Sequence, residues 1–266
     1  MIFEFKINKY YLASYAMTSK RKPFSGWEKL EKKIWNKYKF EPAYYFLNSR
    51  YVNWAIEKLQ TDFSDDNIKN VFSKQVVVLE KIYQKIFKTK EFKRLYEETE
   101  KYLDFVKNQW QKNEKEALKI LEEVSGLSIP KHKITVYITH PNSHNGKVLD
   151  KNIIVWGHTE DWENYATVYL SHELLHIMTW PRHFQLNFDI LHAVVMLVND
   201  ELKIRLNKEG KYLDFKKEEL NAEVIKLINI AKKIMPYWKK YLDRKLGKNI
   251  LELKSFLDKS KKGYVL

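Results

Sequence analysis

The sequence predicts an α+β chain that is mainly helical, and three observations carry that expectation. Apolar residues recur at spacings of three and four over most of its 266 residues. A single stretch between Lys133 and His158 is instead rich in β-branched residues. A 44% hydrophobic content with 15% aromatics is enough to build a sizeable core.

In order along the chain, IFEFKI alternates like a short strand and KRKPFSG reads as a loop. From about Trp27 to Val124 the pattern is helical, with almost no Gly or Pro to break it; Phe87, Phe92, Leu95, Tyr102, Phe105, Val106 and Trp110 show the repeat. Gly126 and Pro130 in GLSIPKH stop that helix. KITVYITH (Lys133–His140) and KNIIVWGH (Lys151–His158) read as strands, and HPNSHNGK between them, with Asn145-Gly146, reads as a turn. Helices are expected at Asp161–Thr179, ended by Pro181, at about Leu186–Asn207, stopped by Gly210, and on toward the C-terminus. The expected organisation is a helical region over 1–125 and a second region over 126–266 that holds the sheet and the following helices, with one continuous domain also possible.

Composition narrows the function classes. No cysteine is present, which removes disulfides, thiol nucleophiles and thiolate metal sites, so any metal is held by His, Asp or Glu. That usage fits the cytoplasm. The start of the chain lacks the pattern of a secretion signal, and the longest apolar runs, such as LHAVVMLV, fall far short of the roughly 20 residues that cross a bilayer. The formal charge is +14, but the lysines are scattered and interleaved with glutamates, as in KNEKEALKILEE, the pattern of solvated helix faces.

The segment TVYLSHELLHIMTW, Thr167–Trp180, sets three polar groups in an apolar helix. Positions four apart on a helix differ by about 40° around the axis, so His172 and His176 point the same way and can share one metal ion. Glu173 sits where it can reach a water on that metal and serve as general base. Burying two imidazoles and a carboxylate without partners costs several kcal/mol, which a metal removes. A catalytic zinc takes a third protein ligand. His183, His192, Asp200 and Glu201 follow downstream, and Glu201 projects from the middle of an apolar face formed by Ile190, Val194, Leu197, Val198 and Ile204, whereas His192 falls on the opposite, polar side. Glu201 is therefore the expected third ligand, with Asp200 as reserve or support; a salt bridge is the plainer role for Glu201.

With His172, Glu173, His176 and Glu201 in place, the segment from about Lys133 to Leu206 resembles the core of the gluzincin-type zinc metallopeptidases, the thermolysin-like clan. The resemblance implies a zincin-like unit of a small sheet and two ligand-bearing helices, bound Zn2+, and peptide or unfolded protein as substrate. It also implies that KNIIVWGH is the edge strand on which the peptide lies. The match departs from the clan where Arg205 stands four residues after Glu201 in place of an aspartate, and the Gly-x-Met-Glu-Asn motif of the related aminopeptidases is absent. A metzincin pattern fails as well, since Thr179 and Arg182 stand where it needs glycine and histidine. Candidate donors to an oxyanion are Tyr212, Tyr237 and His183; His140, His144 and His158 lie beside the sheet, with His158 able to line the cleft. The competing reading is a basic helical protein that binds nucleic acid or an acidic partner, with a structural metal site or none. A zincin-like protein that keeps its metal but acts as a regulator is a third. Oligomeric state is not encoded in any pattern of this sequence.

Overall fold

The computed structural model describes residues 2–45, 66–180, 188–214 and 221–263. Its elements are β1 (Phe3–Lys6), α1 (Lys9–Thr18), α2 (Trp27–Tyr38), α3 (Pro42–Tyr45), α4 (Asp66–Phe87), α5 (Lys90–Ser125), β2 (Ile134–Ile138), β3 (Asn145–Asp150), β4 (Ile153–Gly157), α6 (Tyr165–Met178), α7 (Phe188–Asn207), α8 (Ala222–Leu242) and α9 (Ile250–Gly263). The class is α+β and mainly helical, as the periodicity predicts. Among the described residues no helix is long and apolar enough to cross a membrane.

The sheet has the order β1-β2-β4-β3. β1, β2 and β4 run parallel, and β3 returns antiparallel to β4 at one edge. Period-two alternation assigns the faces. Ile134, Val136, Ile138, Ile154 and Trp156 enter the main core with α5, α6, α7, α8 and α9, whereas Tyr137 and Val155 meet Tyr11 of α1 on the other side.

Two expectations are corrected here. KNIIVWGH forms β4, an interior strand, and the edge belongs to β3. The Asn145-Gly146 pair is not a turn: it opens β3, with Gly146 opposite Trp156, and the turn of the hairpin falls at Lys151–Asn152. Glycine is needed at 146 for a different reason. A Cβ there would sit 3.0 Å from the Trp156 ring, so the residue permits close packing rather than a positive φ.

Helix α5 stops where the sequence predicts. Gly126 adopts φ 66° and its N–H reaches the Glu122 carbonyl, closing the last turn. The same glycine accepts the backbone of Lys248 and Asn249 where a side chain would collide. Phe92 and Leu95 at the start of α5 pack into a core made with α1, α2, α3 and α4, while Tyr102 through Val124 pack against the sheet. The change of composition at residue 126 is therefore not a boundary between cores; the two cores meet inside α5.

Polar contacts fix α6 against α5. The Gln109 side-chain oxygen accepts from the Thr167 N–H at 2.9 Å, an otherwise orphaned first-turn donor. Asn113 donates to Asn164 at 2.8 Å, and Asn164 in turn donates to Asn207 at the end of α7, at 2.9 Å. Asn164 holds a left-handed φ of 62°, so α6 begins at Tyr165 rather than at Asp161. The Pro181 break lies outside the described residues.

Candidate metal centre

Helix α6 is buried on nearly every side, from Tyr165 through Ile177, and it carries the expected pair to the floor of a cleft of about 750 Å³. The Nε2 atoms of His172 and His176 are 3.0 Å apart. Two imidazoles bound tetrahedrally to one zinc at about 2.0–2.1 Å place their nitrogens about 3.3 Å apart, so this pair is set for a shared ion with little movement.

The third member of the group is His192. Its ring centroid lies 5.7 Å from that of His172 and 5.1 Å from that of His176, and one ligand nitrogen of each of the three lies within 4.8 Å of the others. Phe188, one turn earlier on α7, braces the group with ring centroids 5.4 Å from His192 and 6.4 Å from His176. Burial pulls the His192 pKa below the usual range, which keeps the imidazole neutral and able to ligate. Three imidazole nitrogen donors with room for a fourth position fit a catalytic zinc.

Glu201, the expected third ligand, is elsewhere. It accepts from the Arg205 Nε at 2.6 Å and from the Tyr212 hydroxyl, and Arg205 also reaches Glu123 at 3.5 Å. Arg205, which departs from the clan pattern, is thus the partner that makes Glu201 a salt-bridge residue. Glu201 does not face the cluster because α7 is packed against α5, α6, α8 and α9 together and has no single inward face. Its residues from Ile190 to Val198 are buried on both sides except the half-buried His192. The side that reads as polar, about 180° from Glu201, is the one that overlooks α6. Asp200 accepts from the Leu213 N–H at 2.8 Å and holds the loop after α7, and burial pushes its carboxyl up to about 6.

Glu173 is buried at the cleft floor, and burial pushes its carboxyl up to about 8, against the opposing pull of the Val148 backbone N–H and the Lys147 charge. Both of those groups belong to the edge strand, and Gly146, Lys147 and Val148 line the cleft. Trp156, Tyr165 and Tyr169 form one wall, with Tyr165 and Tyr169 rings 4.5 Å apart and Tyr169 6.1 Å from His172. Met196 from α7 and Val224 and Leu227 from α8 contribute to the lining as well.

The remaining candidates separate clearly. His158 lines the cleft; its Nδ1 faces the Thr159 carbonyl at 2.8 Å and its Nε2 the Tyr165 hydroxyl at 3.4 Å. His144 packs against it with centroids 4.0 Å apart and ring planes inclined by 59°. His140 is structural: its Nδ1 accepts from the Asn142 N–H, leaving the Nε2 proton for Glu98 at 3.0 Å. Tyr212 is committed to Glu201, Tyr237 packs on Phe256, and neither lines the cleft. His183 lies outside the described residues. Tyr169 carried a readable signal, since it stands three residues before His172 and hence on the same side of the helix.

In comparisons with protein-family models, with curated proteins and with solved structures, nothing matches this chain.

Proposed function

We propose that the protein is a zinc-dependent hydrolase of peptide bonds, with the metal held by His172, His176 and His192 and with Glu173 as general base. The observation that carries this reading is the convergence of three imidazoles and a buried carboxylate on one cleft beneath an edge strand. Bound there, zinc would supply Lewis-acid polarisation of the substrate carbonyl and acidify a water. Burial favours the protonated carboxyl of Glu173 in the metal-free site, and the charge of the bound ion would restore the carboxylate; that carboxylate takes the water's proton and returns it to the departing nitrogen. An extended peptide adds to the outer edge of β3 beside Gly146, Lys147 and Val148, where main-chain groups bind backbone without regard to sequence. The aromatic and aliphatic walls exclude bulk water around the reacting groups and strengthen the electrostatics there.

The test compares wild type with Glu173→Gln on a mixed peptide library, with zinc measured in both. The expected result is about one zinc per chain in each protein and hydrolysis reduced by at least about 100-fold in the variant. Absence of stoichiometric zinc after metal-replete purification would refute the reading.

A further inference from the structure

We infer that Gly146 and Trp156 are positioning residues for Glu173: the bare Cα of Gly146 is the surface on which the indole and the carboxylate are both seated. The inference rests on the role proposed above for Glu173. Glycine within a strand normally costs stability relative to alanine and marks a bulge, a special φ or a close approach. Gly146 pairs regularly with Trp156, and the irregularity of this hairpin lies further on, between Val148 and Asp150. Its φ is not positive, so any residue fits the backbone. What remains is the close approach. A Cβ at 146 would stand 3.0 and 3.2 Å from the Cζ3 and Cε3 atoms of Trp156 and 3.6 Å from the Oε1 of Glu173.

The indole has nowhere to retreat. It is 2% exposed and is boxed in by His158, Tyr165 and Tyr169, with ring centroids 6.2, 6.1 and 6.0 Å away. Tyr169 continues the same wall to His172, with ring centroids 6.1 Å apart. The carboxyl is located by the Val148 N–H and by packing against the edge strand, and the side-chain-free rung at 146 sets how close α6 and β3 approach.

Gly146→Ala therefore displaces the indole or the strand, and with them the carboxylate. A displacement of about 1 Å at a catalytic group is worth up to about 100-fold in rate. The expected result is kcat lowered 10- to 100-fold, with zinc still stoichiometric. Adding Trp156→Phe removes the six-membered ring carrying Cζ3 and Cε3, makes room for the methyl group, and should recover most of the lost kcat. In a Glu173→Gln background Gly146→Ala should have no further effect. Unchanged kcat in Gly146→Ala, loss of zinc, or failure of the Phe variant to restore activity overturns the inference. Should the wild type hydrolyse no peptide, the proposed activity fails on its own. The crystal structure of Gly146→Ala then decides this point: Glu173 displaced by about 1 Å supports it, and an unmoved carboxylate overturns it.

Discussion

Removing His192 and removing Glu201 should have opposite consequences, and the pair of variants separates the two possible ligand sets. Structural zinc sites bind with about 10–16 kcal/mol in total, so one of three imidazoles contributes about 3–5 kcal/mol, or roughly 100- to 10,000-fold in affinity. His192→Ala is expected to weaken zinc binding by that factor and to leave the metal-free fold nearly unchanged, since His192 is half-buried at the cleft wall. Glu201→Ala should leave zinc affinity within about threefold, but it strands Arg205 and the Tyr212 hydroxyl. Charged hydrogen bonds of this kind are worth about 1.5–3 kcal/mol, which in a chain of this size lowers Tm by about 3–6 °C. Arg205 retains Glu123 at 3.5 Å, so the lower half of that range is expected. Competition against a chromophoric zinc chelator gives the affinities, and melting of the metal-free proteins gives the stabilities. A large affinity loss in Glu201→Ala together with an unaffected His192→Ala would refute the assignment of ligands.

Two further outcomes follow from buried groups. Asp200 has a folded-state pKa raised to about 6 from 3.8, so its contribution to stability is complete below about 3.8 and is lost as pH rises through about 6. The difference is worth about 3 kcal/mol at most, and Asp200→Asn, whose amide oxygen still accepts from Leu213, should melt a few degrees higher than wild type near pH 7.5 and equally near pH 4. A higher Tm for the variant at pH 4 alone would contradict this. Chelation of zinc from protein held at about 100 times its Kd removes about 2.7 kcal/mol, a fall of about 5–10 °C by scanning fluorimetry, and the same treatment should not shift His192→Ala.

Much of the fold was legible because local signals and tertiary context agree. Gly126 ends a long amphipathic helix, and the β-branched residues of Ile134–Ile138 and Ile153–Gly157 form strands. The histidine pair on α6 was legible because a four-residue spacing is a property of one helix alone. The third histidine of the cluster was not, since it depends on which side of α7 overlooks α6, and a helix buried all round carries no pattern that says so. The same limit applies to β3. Asn145-Gly146 has the chemistry of a turn, and only the position of the Trp156 ring explains why a glycine sits inside a strand. His140 resembles His158 in sequence context, yet one is tied to Glu98 and the other opens on the cleft.

Helix α5 has 36 residues, a rod of about 54 Å. One end is embedded among α1, α2, α3 and α4, and the other supports the strands and α6 through Gln109 and Asn113. A rod clamped at both ends makes the melting of either half strip apolar area from the other, so heat absorption should come as one calorimetric event rather than two. Cutting the chain at residue 126 would therefore leave neither fragment with a closed interior, however abrupt the change in composition at that point.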